Sequence, residues 1–199
     1  MPHVPVEERR PQLIEAAIRV VAREGVARAT TRRIAEEAGA PLATLHYSFR
    51  NKEELFAAVT EHGARRSEEA LGRLPVAPGE GLRIAVTQIL GLYRDGAVRD
   101  PGTVAAELEL QAWARRTPGR RELADRCYVL HGRAVVGALR AAASEAERGV
   151  DLPRLARLVL VASDGMALRI LASGPSVMAD VELGVLAEGL VATAAGTTG

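Results

Sequence analysis

The sequence of 199 residues has few cysteines, lysines and aromatic residues. Cys127 is its only cysteine, which excludes an intramolecular disulfide and a cysteine-based metal cluster. Aromatic residues make up only 3% of the chain, and alanine and leucine are abundant, so the composition favours helices over sheets. No apolar run reaches the ~18 residues that a membrane-spanning helix needs, and the N-terminus lacks the apolar stretch of a signal peptide. We therefore expect a cytoplasmic protein.

Sequence motifs typical of enzymes are also missing. There is no G-x-S-x-G nucleophile elbow, no glycine-rich phosphate loop and no H-E-x-x-H zinc motif. The four histidines, His3, His46, His62 and His131, are scattered along the chain. We expect a protein that is not an enzyme and that holds no metal and no other cofactor.

The charge is distributed unevenly along a chain whose net charge is only +1. Residues 1–52 contain nine Lys and Arg against six Asp and Glu, whereas the remainder carries a small excess of acidic residues. A basic N-terminal end on a near-neutral body fits a small DNA-contacting head, although an excess of this size also arises by chance.

Glycine, proline and capping residues divide the chain into about nine predicted helices and leave no alternation typical of strands. Asn51 followed by Glu54 predicts a capping box at the start of the fourth helix. The predicted helices run from about residue 11 to 24, 31 to 38, 41 to 49, 51 to 73, 80 to 98, 103 to 116, 118 to 148, 151 to 173 and 176 to 195.

The second and third predicted helices have the pattern of a helix-turn-helix. Ala35 supplies a small residue where two steeply crossing helices approach, and Gly39 supplies a residue that tolerates positive φ in the turn. The opposite face of the third helix then stays free to enter a major groove. An ordinary hairpin of two helices would show the same spacing. The residues expected to point inward are Ile34, Ala38, Leu45 and Phe49.

The residues around this motif make the pattern much more specific. A first helix ending in Gly25 is followed by Thr30–Ala35, Ala38–Gly39, Thr44–Phe49 and Asn51–Leu55. From about Arg10 to Phe56 the chain resembles the TetR family of bacterial regulators. The resemblance implies an all-α fold with a three-helix DNA-binding domain at residues 1–51. A larger helical domain for effector binding and dimerisation would span residues 52–199.

The resemblance also implies which residues contact DNA. Thr31 and Lys52 fall where the family contacts phosphates, Tyr47 falls at an aromatic backbone-contacting position, and Arg32 falls where an arginine can meet a guanine edge. Leu42, Ala43 and Thr44 open the recognition helix. The full set of expected DNA-contacting residues is Thr31, Arg32, Leu42, Ala43, Thr44, His46, Tyr47 and Lys52.

Three positions depart from the family pattern, which often has Ser, Gly and Tyr where this chain has Pro41, Ala43 and His46. Pro41 cannot donate a hydrogen bond to phosphate, and Ala43 offers only apolar contact, for example to thymine methyls. Direct base reading would then rest on Arg32 and His46, with DNA shape supplying the rest. Alternatively, Arg32 is a solvated surface residue and His46 packs against the first helix.

A short recognition helix alone binds weakly, so we expect a two-fold dimer that reads two half-sites. The last two helices are the expected interface, as the resemblance also implies, although their apolar face could instead pack inside one subunit. The expected interface residues are Leu158, Val161, Ala162, Gly165, Leu168, Leu183 and Leu186.

The middle helices would hold a cavity for a small-molecule effector. Candidates are the rare polar, aromatic or sulfur-containing residues of an aliphatic region, namely Tyr93, Glu107, Gln111, Trp113, Tyr128, His131 and Met166, for each of which ordinary packing is the alternative. Cys127 could be a redox sensor, although a lone buried thiol is usually inert.

These features predict a sequence-specific transcriptional regulator that is a homodimer, namely a repressor released from a palindromic operator by a small-molecule effector. One alternative is a helical interaction protein that has lost specific DNA binding. Another is an activator or a regulator that depends on a co-repressor.

Overall fold

A computed structural model describes residues 6–174 and 180–196. Within these residues the chain forms nine α-helices and one 3-10 helix, and no strand. The all-α prediction is therefore confirmed, and the predicted start of the last helix at residue 176 lies outside the described residues. The helices are α1 (Val6–Glu24), α2 (Thr31–Glu37), α3 (Leu42–Ser48), α4 (Lys52–Leu71), α5 (Leu82–Arg99), α6 (Pro101–Arg116), α7 (Arg121–Ala142), the 3-10 helix (Glu145–Glu147), α8 (Leu152–Ser173) and α9 (Asp180–Ala195).

Side-chain caps explain where several of these helices begin. The Thr30 hydroxyl accepts a hydrogen bond from the Arg33 backbone N–H at 3.2 Å at the start of α2. At the start of α4, the Asn51 side chain accepts one from the Glu54 N–H at 2.8 Å. The predicted capping box is wrong in its second half, because the Glu54 carboxylate accepts from the N–H of Arg50 at 3.0 Å and not from that of Asn51.

The helix predicted from residue 118 to 148 is shorter at both ends in the structure, where α7 spans Arg121–Ala142. Thr117 does not cap α7, since its hydroxyl donates back to the carbonyl of Trp113 at 2.8 Å and Gly119 then turns the chain with φ +75°. After α7 ends at Ala142, Ser144 and Glu147 form a capping box for the 3-10 helix. Local hydrogen bonds by Thr and Ser side chains therefore replace the longer helix that the capping and proline residues predicted.

Contacts between Cα atoms divide the chain into two units. The first comprises the described residues up to Arg65 together with Gly102–Cys127, and the second comprises Arg66–Pro101 together with the described residues from Tyr128 on. In the first unit α1, α2 and α3 pack against one another, and in the second α5, α8 and α9 do so. Residue 51, the predicted functional boundary, lies inside the first unit, and that functional division stays a prediction.

Each unit has its own aliphatic core. The largest fully buried side chains of the first unit are Leu13, Ile34, Leu45, Phe49, Leu55 and Phe56, and those of the second are Leu82, Ile89, Leu90, Leu139, Leu155 and Leu183. None of the described helices combines the length and the hydropathy that crossing a bilayer requires.

Candidate DNA-binding interface

The turn between α2 and α3 is fixed by backbone hydrogen bonds around Gly39. The Gly39 N–H donates to the carbonyl of Glu36 at 3.1 Å, and the Ala40 N–H donates to that of Ala35 at 3.0 Å. This pair of bonds is a Schellman motif, which needs a left-handed residue, and Gly39 has φ +60°. The turn residue predicted from the sequence therefore sets the angle at which α3 leaves α2.

The inner faces of α2 and α3 are sealed against α1. Ile34, Leu45 and Phe49 are buried, as expected from their spacing, and Ala38 packs against the same core. The guanidinium of Arg10 lies 4.2 Å above the Phe49 ring and donates to the carbonyl of Ser48 at the end of α3. The recognition helix is thus held on its inner side by apolar contacts and at its C-terminus by a cation.

The outer face of α3 is open to solvent. Tyr47 is 84% exposed, and Leu42, Ala43 and His46 are exposed as well, whereas Thr44 is half-buried. Because His46 is exposed, its alternative role as a residue packed against α1 is wrong. The predicted recognition residues therefore share a surface that nothing in the same chain covers within the described residues.

Two neighbouring arginines of α2 have different surroundings. The Arg33 guanidinium pairs with the Glu24 carboxylate at 2.5 Å, which ties α2 to α1. Arg32 is 81% exposed and meets only the exposed Glu36 carboxylate, at 3.2 Å, in an i,i+4 pair. Such a surface pair contributes little, so the Arg32 side chain can exchange it for a base edge or a phosphate at small cost.

Glu37 forms the other ionic link between α2 and α1. Its carboxylate accepts hydrogen bonds from Arg19 and Arg23, which lower its pKa from 4.5 to about 2. The two carboxylates that tie α2 to α1 thereby engage three arginines, Glu24 pairing with Arg33 and Glu37 with Arg23 and Arg19. The arginine left for DNA on α2 is the one that sequence reasoning selected, Arg32.

Lys52 lies in a different setting from the one expected of a phosphate contact. Its ammonium donates to the carbonyl of Val26 at 3.0 Å and lies 5.0 Å from the centre of the Phe56 ring. Burial lowers the pKa of Lys52. An ammonium has three N–H donors, so Lys52 could still donate to a phosphate, and that contact stays a prediction. A phosphate contact by the half-buried Thr31 also stays a prediction.

The expected effector residues are divided between the two units. Gln111 and Trp113 belong to the first unit. The Trp113 ring packs edge-on against Phe56, with centroids 5.2 Å apart, beside the core of the first unit, and its role in an effector cavity stays a prediction. Glu107, also in the first unit, faces Gly63. The second unit contains Tyr93, Tyr128, His131 and Met166.

Sequence reasoning missed the acidic partner of this second group. The Tyr128 hydroxyl lies 3.4 Å from a carboxylate oxygen of Asp164, and His131 adds an electrostatic interaction with the same carboxylate. Burial raises the pKa of Asp164. Spacing in the sequence could not reveal this group, because α7 and α8 are brought together only by the fold.

A groove of about 370 Å³ in the second unit was also missed. It lies among the end of α4, α5 and α7, and its α7 wall consists largely of small residues. None of the expected effector residues lines it. Its lining residues are Glu68, Leu71, Gly72, Leu74, Val76, Ala85, Arg133, Ala134, Gly137, Ala138 and Ala141.

Several residues of the expected dimer interface are exposed in the single chain. Val161 is 64% and Leu168 is 56% exposed, and Gly165 is exposed beside them, whereas Leu158, Ala162 and Leu186 are half-buried. Leu183 is only 1% exposed, and its side chain lies near Gly91 of α5. Leu183 is therefore a core residue of the protomer, and we remove it from the expected interface. Val181 and Val185 add exposed apolar area on α9.

Cys127 is buried, and burial raises the pKa of its thiol. A buried thiol with a raised pKa contains little of the thiolate that reacts with oxidants. These surroundings fit the inert thiol and not the redox sensor.

Comparison with known proteins gives a consistent result. A family model described as "Bacterial regulatory proteins, tetR family" matches residues 13–59. The HTH-type nicotine-responsive transcriptional repressor HdnoR of Paenarthrobacter nicotinovorans is 33% identical over 162 residues, which cover 81% of this chain and 83% of the relative.

Solved structures share the fold over nearly the whole chain. A transcriptional regulator from Pseudomonas aeruginosa PAO1 matches with a TM-score of 0.76 and 23% identity, covering 96% of this chain and 92% of that chain. The multidrug binding protein EbrR, solved with imidazole, matches with a TM-score of 0.68 and 25% identity, covering 96% and 94% of the two chains.

Proposed function

Because the chain belongs to the TetR family of bacterial regulatory proteins and is a transcriptional regulator, we propose that it represses transcription as a dimer bound to a palindromic operator. The resemblance inferred from about Arg10 to Phe56 is thereby confirmed at the level of the family. A small molecule would release the operator. The observation that carries the proposal is that the outer face of α2 and α3 is exposed, while their inner face packs into a buried core.

Arg32 is the residue that we propose for direct base reading. Its side chain is exposed and only weakly paired, and a bidentate arginine–guanine contact discriminates between bases by about 1–3 kcal/mol. Thr31, Tyr47 and Lys52 would contact the backbone. Leu42, Ala43, Thr44 and His46 would line the groove, where apolar side chains favour thymine methyls.

Dimerisation would supply the second half-site. The exposed aliphatic side chains Val161, Leu168, Val181 and Val185 on α8 and α9 expose apolar area that a second copy could bury. Two copies related by a two-fold axis would present two recognition helices about one turn of DNA apart. Leu158, Ala162, Gly165 and Leu186 complete the proposed interface.

The experiment is to incubate the purified protein with fragmented DNA from its source genome at near-physiological salt and to sequence the retained fragments. We expect a shared palindrome, and its flanking genes would narrow the class of effector. Retention without a shared motif, lost steeply as salt rises, would mean non-specific contact only. The alternative of a helical interaction protein would then be favoured.

Two adjacent substitutions separate base reading from general effects. Arg32→Ala should raise the dissociation constant for the recovered operator by about tenfold, since one base contact is lost. Arg33→Ala removes a similar charge next to it together with partly exposed ion pairs to Glu24 and Glu36, neither of which is a base contact, so operator affinity should change by less than about threefold. Equal losses for the two variants would argue that Arg32 contributes only its charge.

For the effector, the group formed by Tyr128, His131 and Asp164 is the site that we propose, with Tyr93 and Met166 in the same unit. A carboxylate that is partly removed from water favours an organic cation as its partner. The relative HdnoR is named as nicotine-responsive, and protonated nicotine is such a cation, so nicotine is the first effector to test.

Nicotine titrated into the protein–operator complex should release the DNA. Asp164→Asn should weaken this response at least tenfold, whereas Asp125→Asn, on the same helix as Tyr128 but paired with Arg115 at an exposed position, should not. Tighter DNA binding in the presence of nicotine would instead indicate a co-repressor-dependent regulator. By linkage, an effector that binds the DNA-bound and the free protein equally well does not change the affinity for the operator.

A further inference from the structure

Both polar groups of Val26, in the turn between α1 and α2, are held by side chains from other helices. The Val26 N–H donates to a carboxylate oxygen of Glu109 on α6 at 2.8 Å. The Val26 carbonyl accepts from the ammonium of Lys52, the first residue of α4, at 3.0 Å. Since the Val26 side chain is buried, this turn is fixed by one apolar and two charge-assisted contacts.

Gly25 leaves room for the carboxylate. It has φ +79°, and a Cβ at this position would lie 3.3 Å from both carboxylate oxygens of Glu109. The Gly25 carbonyl then accepts from the Ala29 N–H at 3.1 Å, immediately before the Thr30 cap of α2. A short hydrogen-bonded segment therefore connects the turn to the start of α2, so the position of the turn helps to set the position of Arg32.

The segment of α6 that carries Glu109 is itself packed on the first unit's core. Ala106 and Leu110 are buried in that core, and the Trp113 ring meets Phe56 edge-on. These apolar contacts set the position of α6, and from this position Glu109 accepts the hydrogen bond of the Val26 N–H. Lengthening or bending this hydrogen bond would loosen the turn, because a hydrogen bond weakens steeply with distance and angle.

We propose that Glu109 is a positioning residue for operator binding, which holds the α1–α2 turn so that α2 presents Arg32 to the DNA. The inference rests on the proposed function. It adds that one carboxylate of α6 fixes the α1–α2 turn, so that losing its hydrogen bond to Val26 lowers operator affinity without unfolding the first unit.

The test compares Glu109→Leu, which removes the acceptor, with Glu109→Gln, which keeps one side-chain oxygen. Glu122→Leu serves as the matched control, because Glu122 is another exposed glutamate of the first unit but lies on α7 and not on α6. The readouts are hydrogen exchange of the Val26 amide without DNA, the thermal unfolding midpoint, and the dissociation constants for the recovered operator and for DNA of unrelated sequence.

In Glu109→Leu, we expect exchange of the Val26 amide to be about tenfold faster and the operator dissociation constant to rise about tenfold, as the loss of one charge-assisted hydrogen bond allows. The affinity for unrelated DNA should change much less. A merely structural role would lower both affinities together, by the fraction of protein unfolded. Glu109→Gln and Glu122→Leu should stay within about twofold of the wild type in both readouts.

The role is overturned if Glu109→Leu retains wild-type exchange at Val26, or if it binds the operator as tightly as the wild type does. It is also overturned if operator and unrelated DNA lose affinity equally. A wild-type protein that retains no specific fragment overturns the proposed function and this role with it, whereas normal wild-type binding with an unaffected Glu109→Leu overturns this role alone.

Discussion

The burial of large apolar residues differs between two regions of the molecule, the helix-turn-helix of α2 and α3 and the last two helices, α8 and α9. In α2 and α3 the aliphatic residues Ile34 and Leu45 are fully buried within the chain. The exposed face mixes polar, aromatic and small residues with one large aliphatic residue, Leu42. In α8 and α9 several large aliphatic residues, among them Val161 and Leu168, remain exposed.

The difference shows which region is complete in a single chain. Two short helices of seven residues each are stable in the first unit because α1 covers their inner face and caps and ion pairs fix their ends. The long helices α8 and α9 bury one side against α5 and leave aliphatic area that a second protomer could cover. Substitutions on either side of this contrast test it, beginning with the largest expected effect.

Replacing Val161 and Leu168 together by Asp tests whether the exposed aliphatic face of α8 is a dimer interface. If these side chains meet a second protomer, burying two carboxylates there is very costly, so the protein should sediment as a monomer and lose operator affinity by at least about 100-fold. Val98→Asp, at another exposed valine of the second unit, should leave the dimer intact. A double variant that stays dimeric would place the interface elsewhere.

Leu45→Ala and Leu42→Ala compare the two faces of α3. Leu45 is fully buried, so its truncation should cost about 2–5 kcal/mol of unfolding free energy. Leu42 is exposed, and its truncation should change stability by less than about 0.5 kcal/mol. Chemical denaturation of both variants measures the difference, and equal losses would contradict the assignment of the two faces.

Gly39→Ala and Gly137→Ala should change stability in opposite directions. Gly39 has φ +60°, so an alanine there is strained by about 1–2 kcal/mol even though the space around it is open. Gly137 lies inside α7 and has open space where the methyl group of an alanine would lie, so alanine should stabilise the helix by about 0.5–1 kcal/mol. Thermal unfolding of each variant against the wild type decides the signs.

The smallest effect is expected from the ionic link between α1 and α2. The pKa of Glu37 is lower in the folded chain, at about 2, than its ordinary value of 4.5. Its contribution to stability is therefore fully present above about pH 5 and is lost as the pH falls through the folded pKa. In Glu37→Gln, stability should fall less steeply between pH 5 and 2 than in the wild type, and parallel curves would contradict the link.

Sequence reasoning succeeded where structure is set by neighbouring residues. The cap at Thr30, the turn at Gly39 and the inward residues Ile34 and Leu45 follow from local chemistry and helical spacing, so the helix-turn-helix was predicted correctly. It was wrong about both ends of α7, because the Thr117 hydroxyl bonds back to the carbonyl of Trp113 and Ser144 caps a separate 3-10 helix.

It failed where the partner comes from a distant part of the chain. The contacts of Glu109 with Val26 and of Tyr128 with Asp164 join residues 83 and 36 positions apart. Leu183 shows a related limit, since the apolar residues of α9 are spread around the helix and do not reveal which side faces its own core. Spacing identifies apolar faces, and only the fold identifies what covers them.

Lys52 is the only lysine in the sequence, and its amine lies beside the turn that leads into α2. An amine-reactive reagent would therefore have a single lysine side chain to label, at the edge of the expected DNA surface. Mass spectrometry of the tryptic fragment containing Lys52 would measure how fast it is modified. Since acylation needs the free amine, the labelling rate becomes a chemical gauge of whether this corner of the molecule is open, closed or occupied.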